Sequence, residues 1–312
     1  MAGEVELFVD GDDTSVPGVI NHESLTRRLA IEAEPLSERT DVEVTTSRYV
    51  GYPVRGFEQR TFGGHLVAQA ILASAATVDD PARVVNSLHA YFLRTGTHTR
   101  RLQYDVTTVR DGGSFSIREV SVIQAERELA RLSLSFCTPD AAGRPDNTAA
   151  SPAPAVPPPD SVEPVHRRRL LELPADGIKL PARENWQTAS RPVDIRYIDG
   201  TTDDRRFWFR TAPAAGTDQN THRAVLAFAS DRSLLPVISH ARGDLERAHM
   251  MRTASIDHNL WFHRDVRSGD WYLYVQNSSS NTPRSGLAEG RIFNEHGGLV
   301  ATVVQQGIIT ES

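Results

Sequence analysis

Leu88-His89-Ala90-Tyr91-Phe92-Leu93-Arg94 returns 170 residues later as His258-Asn259-Leu260-Trp261-Phe262-His263-Arg264. Both copies hold an aromatic pair followed two residues on by arginine, and the same offset sets Tyr104 on Tyr274. Working outward, each copy follows an apolar run that suits a long helix. Phe62–Val78 is almost wholly apolar, rich in alanine and opened by Gly63-Gly64, as in a helix buried on nearly all sides. Thr221–Ser239 is its counterpart, and should end or kink near Pro236. After the first helix come strand-like segments at Val84–Leu93, Arg101–Val109, Ser114–Ala125 and Glu128–Thr138, with hairpin signals at Asp111-Gly112-Gly113 and near Glu126. After the second come Arg252–His263, Trp271–Asn277, Gly286–Asn294 and Leu299–Ile309, with two further strands ahead of it at Val193–Tyr197 and Arg205–Arg210.

One long helix wrapped by an antiparallel sheet is the hotdog plan. The repeat therefore predicts an α+β chain of two tandem hotdog units, a double hotdog in which the copies form a pseudo-dimer. The expected boundaries are an acidic N-terminal arm over 1–35, an N-terminal hotdog over 36–138, a Pro/Ala-rich linker over 139–164 and a C-terminal hotdog over 165–312. Pro157-Pro158-Pro159 makes the linker stiff and extended, without a core of its own.

Composition narrows the function. The chain has 312 residues, 39% of them hydrophobic and 24% charged, and a net charge of −6. A tight nucleic-acid binder carries a basic excess, so no nucleic-acid partner is expected. Lys179 is the only lysine, so any phosphate-bearing ligand must be met locally by arginine, whose fork bonds two oxygens at once. Cys137 is the only cysteine, which excludes an internal disulfide and a cysteine-built metal site; no cofactor is expected. No apolar stretch reaches membrane-spanning length and the start lacks a signal-type core. The terminal Ile309-Thr310-Glu311-Ser312 is not the Ser-Lys-Leu address. A cytoplasmic location is expected.

Three polar residues interrupt apolar elements of the second copy: Asp231 in the helix, Ser255 in the first strand after it and Gln305 in the last strand. At the offset of 170 the first copy offers Val85 for Ser255 and Ser135 for Gln305, and Ala73 lies near the place of Asp231 if the helices are aligned. Each alone has an ordinary reading, as a helix cap or an exposed strand residue. Because neighbours in a strand point to opposite faces, Ser255 and Asp257 should share a face that His258 does not, which makes His258 structural. Gly63, Gly64 and His65 are candidates for substrate binding, with close helix packing as the competing explanation for the glycines.

The second copy resembles the C-terminal half of the acyl-CoA thioesterase II family, at Leu226–Asp231, at Ser255–His258 leading into Trp261–Arg264, and at Val304–Gly307. The first copy is similar at Phe62–His65, Tyr91–Arg94, Tyr104–Val106 and Arg110–Gly112. The resemblance covers roughly residues 55–310 apart from the linker. It implies an enzyme acting on fatty acyl-CoA, with Asp231, Ser255 and Gln305 jointly holding the attacking water. Bacterial members often carry Thr at the middle position, and Ser keeps the hydroxyl. Acyl-CoA and further copies of the chain are the expected partners, without membrane insertion. Three other functions compete. A hotdog hydratase wants His five residues after its Asp, where this chain has Pro236. A non-catalytic acyl-CoA binder would have no need of the intact polar set. A serine hydrolase of the α/β type would want Gly-x-Ser-x-Gly, which is not present.

Overall fold

A computed structural model describes residues 29–34, 45–53, 60–139, 152–165, 193–199, 204–213, 218–241 and 251–311. The first 28 residues of the expected arm lie outside that set. Its end forms strand β1 (Ile31–Glu34), paired with β2 (Thr46–Gly51). Helix α1 spans Gly63–Ala75 and is followed by β3 (Val84–Phe92), β4 (Leu102–Asp111), β5 (Phe115–Gln124) and β6 (Arg127–Cys137). Ala125 and Glu126 both take positive φ, 49° and 62°, the geometry of a tight two-residue hairpin turn.

In the second half come β7 (Val193–Ile198), β8 (Arg205–Thr211) and helix α2 (Gln219–Ser230). The helix expected over Thr221–Ser239 is two. Asp231 closes α2, and Pro236 opens the short α3 (Pro236–Ala241). A proline is comfortable at a first helical position, where its missing N–H would have had no partner. The strand expected over Arg252–His263 is likewise two, β9 (Met251–Ser255) and β10 (Asp257–Phe262), broken at Ile256. Then β11 (Tyr272–Asn281), β12 (Ser285–Asn294) and β13 (Leu299–Glu311) complete the chain.

All described strands join one antiparallel sheet in the order β1-β2-β4-β5-β6-β3-β10-β13-β12-β11-β8-β7, with β9 also on β13. β3 and β10 meet at its centre. There His89 pairs with Asn259, its own counterpart at the offset of 170, and Leu88 pairs with Leu260 as Ala90 does with His258. α1 packs against α2. A Cβ on Gly64 would lie 2.7 Å from the Phe228 carbonyl oxygen, so only glycine allows the helices this approach. Together they bury Val67, Ala68 and Ile71 against Leu226, Ala227 and Phe228.

The two halves differ on the sheet face turned away from the helices. In β4, buried Leu102, Tyr104 and Val106 alternate with partly exposed Gln103, Asp105 and Thr107. In β11 every residue from Tyr272 to Gln276 is buried. Its second face, with Leu273 and Val275, joins Trp208, Trp271 and Phe293 in a separate apolar cluster. The Pro-rich stretch covers that cluster, with Ala153, Val156 and Val162 packed on it. The Trp208 indole N–H donates to the Pro157 carbonyl at 2.8 Å, and buried Arg196 donates to the Pro159 carbonyl at 2.7 Å. The stretch is extended, as its composition requires, but it is docked along the sheet.

Candidate active site

Asp231 stands where local electrostatics would not put a carboxylate. It is the C-cap of α2, beside carbonyls that carry the negative end of the helix dipole. Asp218 shows the ordinary arrangement at the other end, where its carboxylate accepts from the N–H groups of Asn220 and Thr221. What offsets the position of Asp231 is the second helix. A Cβ on Gly63 would lie 2.9 Å from Asp231 Oδ2, so the carboxylate sits at the positive N-terminus of α1. The N-cap there is Phe62, which has no side-chain cap to offer.

Gln305 Nε2 donates at 2.7 Å to Asp231 Oδ1 and at 2.7 Å to Ser255 Oγ. Three residues separated widely in sequence thus form one cluster around a carboxamide whose residue is wholly buried. With Ser255 Oγ accepting from Gln305, the serine proton is left to donate elsewhere. The Asp231 side chain is 4% exposed, so charge in the cluster is screened little by solvent.

The candidate substrate-binding residues separate. Gly63 borders Asp231 and Phe92, Gly64 serves helix packing, and His65 is buried with Nε2 on the Tyr52 carbonyl at 2.9 Å.

His258 joins the cluster, against the expectation from strand alternation. Ser255 pairs with Gly307 but Asn259 pairs with Val304. Four steps on one strand therefore meet three on the other. That extra residue is a β-bulge at the Ile256 break, and it reverses the parity of every later side chain. His258 turns inward, fully buried, with Nδ1 3.6 Å from Asp231 Oδ1 and Nε2 2.9 Å from Ser230 Oγ. Asp257 turns elsewhere, and its Oδ1 accepts from the backbone N–H of Gln306 at 2.7 Å. Burial lowers the His258 pKa below the usual imidazole value, against the opposing pull of Asp231, Asp257 and Gln305. The first copy has its own bulge at the matching place, since β3 shifts register between Val85 and Ser87.

The register also corrects one match between the copies. Tyr104 pairs with Val122 and Val122 with Ala130, whereas Tyr274 pairs with Ile292 and Ile292 with Ala301. Ala301, and not Val300, thus takes the place of Ala130, because the β12–β13 loop is longer than the Ala125–Glu126 turn. Gln305 accordingly corresponds to Leu134 and not to Ser135. Where the second copy has Ser255, His258 and Gln305, the first has Val85, Leu88 and Leu134, all buried.

A cleft of about 560 Å³ lies elsewhere, beside Gln219, His222, Asp265, Ser268 and Tyr272. Volume and chemistry do not coincide, and the buried hydrogen-bonded cluster is the more specific sign of a reacting centre. Among the described residues no set of side chains could hold a metal ion, and no helix is long and apolar enough to cross a membrane.

Comparison with known proteins points the same way in both halves. Residues 54–137 match the family described as acyl-CoA thioesterase N-terminal domain, and residues 180–308 match the acyl-CoA thioesterase family. Acyl-CoA thioesterase 2 of Haemophilus influenzae is 33% identical over 264 residues, 81% of this chain and 88% of that one. Human acyl-coenzyme A thioesterase 8 is 29% identical over 311 residues, 96% of this chain and 92% of that one. The crystal structure of acyl-CoA thioesterase II TesB2 from Mycobacterium marinum superposes with a TM-score of 0.69 at 29% identity, covering 92% of this chain and 98% of that one.

Proposed function

The chain belongs to the acyl-CoA thioesterase II family, and on that premise we propose that it hydrolyses the thioester of fatty acyl-CoA with a water held by Asp231, Ser255 and Gln305. The observation that carries this function is the Gln305 carboxamide, whose two N–H bonds fix Asp231 and Ser255 at 2.7 Å each. A carboxylate oxygen held by one donor keeps its remaining lone pair for a water proton. The serine hydroxyl, already accepting from Gln305, donates to the oxygen of that water and sets its direction.

As the water oxygen bonds to the thioester carbon, its proton passes to Asp231 and the carbonyl oxygen gains charge. The N–H groups of the first turn of α1, at Gly63 and Gly64, have no intrahelical acceptor and no side-chain cap, and they suit that oxyanion. Collapse then breaks the carbon–sulfur bond. The acid and the CoA thiol leave, the sulfur taking the proton that Asp231 accepted.

We read the chain as a pseudo-dimer of two hotdogs in which only the second copy keeps its polar set. The pairing of His89 with Asn259 at the sheet centre supports this, since a twofold axis between copies sets equivalent residues opposite each other. The matched segments 54–137 and 180–308 support a division on either side of the Pro-rich stretch.

Thiol release from palmitoyl-CoA, followed with a thiol reagent, tests the assignment. Asp231→Asn keeps the shape and removes the base, so kcat should fall by about 10²–10⁴-fold with KM little changed. A folded variant with undiminished turnover would reject Asp231 as the base.

A further inference from the structure

We propose that His258 is a positioning residue that receives, at Nδ1, the proton Asp231 takes from the attacking water. The inference rests on the role given to Asp231 above.

Hydrogen-bond accounting assigns the tautomer. Ser230 Oγ lies 2.9 Å from the Ala227 carbonyl oxygen and 2.9 Å from His258 Nε2. A carbonyl can only accept, so the one serine proton goes to Ala227, and Oγ must accept from Nε2–H. Neutral His258 then carries a bare lone pair on Nδ1, 3.6 Å from Asp231 Oδ1. Two buried atoms here lack a hydrogen-bond partner, Nδ1 itself and Gln305 Oε1. Leaving buried polar atoms unpaired is costly. A proton arriving on Nδ1 meets Asp231 and Gln305, whose pull on the charged ring opposes the burial that lowers its pKa.

The step balances. The O–H bond of water breaks as its oxygen bonds to the thioester carbon, and the proton moves to Asp231 and on to Nδ1. On collapse it returns through Asp231 to the leaving sulfur, giving the thiol and restoring neutral His258. A second copy of the apparatus is not available, since Leu88 occupies the corresponding place in the first half. The groups facing the ring are Asp231 and Ser230 at the end of α2 and Gln305 on β13, with the Tyr274 hydroxyl on the Ser230 carbonyl oxygen behind them, and Asp257, turned away on the ring's own strand, acts on it only through its charge.

His258→Gln tests this, since a glutamine amide can still donate to Ser230 but cannot titrate. Its kcat should fall about tenfold to a hundredfold, less than the ~10²–10⁴ of a general base, with KM unchanged. The acid limb of the kcat–pH profile should also move, because a titrating ring has been removed from the relay. A purely structural histidine would leave that limb in place. Unchanged kcat and an unmoved limb in His258→Gln, with Asp231→Asn still inactive, would overturn the proposal and spare the base assignment. Full activity in Asp231→Asn would overturn both. Nitrogen-15 spectra of histidine-labelled wild-type chain give a check that needs no variant. At neutral pH Nε2 of His258 should be protonated and Nδ1 bare, and the opposite tautomer would sink the relay.

Discussion

At the same place in each half, the chain puts Val85, Leu88 and Leu134 in one copy and Ser255, His258 and Gln305 in the other. The backbone around them is nearly the same, down to a register shift after Val85 and another after Ser255. Chemistry has therefore been added or lost with little change of scaffold. The cost of holding it differs sharply. Three apolar side chains need only volume, whereas a half-buried serine with a buried histidine and glutamine needs its polar atoms matched. The second copy meets nearly all of that demand and leaves Nδ1 of His258 and Oε1 of Gln305 open.

Converting the second site toward the first is the sharpest way to break the comparison. Gln305→Leu installs the residue that stands at Leu134. Asp231 and Ser255 then lose the donor that holds both, and kcat should fall by about 10²–10³-fold, the range for loss of one positioned donor in an active site. Thermal stability should change little, since leucine fits the same strand in the other copy. Substantial retained turnover in that variant would mean that the carboxamide is structural and that the two sites differ less than their residues suggest.

Ser255 tests the same contrast more gently. Ser255→Thr keeps the hydroxyl and β-branching suits a strand, so activity should survive within a few-fold. Ser255→Ala should cost kcat about tenfold or more, below the full ~10²–10⁴ of a general base. If Ser255 were a nucleophile, rapid acid quench during turnover would trap an acyl group on it, together with a burst of free CoA. Mass spectrometry should find no such adduct.

Much of this could be read from the chain itself. The repeat at the offset of 170, the two apolar helices and the alternation in β4 are strong periodic signals, and Asp231, Ser255 and Gln305 were visible as polar residues in apolar runs. His258 was not, because its direction depends on one extra residue at Ile256, and a bulge leaves no mark in a hydropathy pattern. Nor was the match of Gln305 to Leu134, which follows from the longer β12–β13 loop. The break after Asp231 was hidden by Pro236, which as easily opens a helix as kinks one. For His258 and Gln305 the missing information was register, which tertiary pairing sets and a local pattern does not carry.

The smallest expected effect concerns the other difference between the halves, the face of the sheet away from the helices. Gln103 and Asp105 on β4 meet solvent, while Leu273 and Val275 at the matching places on β11 are covered by the Pro-rich stretch. Directed bonds from Trp208 and Arg196 help fix that cover, and Trp208→Phe removes the first without emptying the apolar cluster. The Pro157 carbonyl then loses its donor. Part-burial keeps water from replacing it fully, so unfolding free energy should drop by about 0.5–1.5 kcal/mol, read as a lower urea midpoint at unchanged slope. Catalysis should hold, because Trp208 belongs to the outer cluster and the Asp231 set lies between the helices and the inner face. A matching loss of kcat would show that the strap reports to the active site and that the two faces are coupled. An unchanged midpoint would mean that packing of Ala153, Val156 and Val162 alone holds the stretch in place.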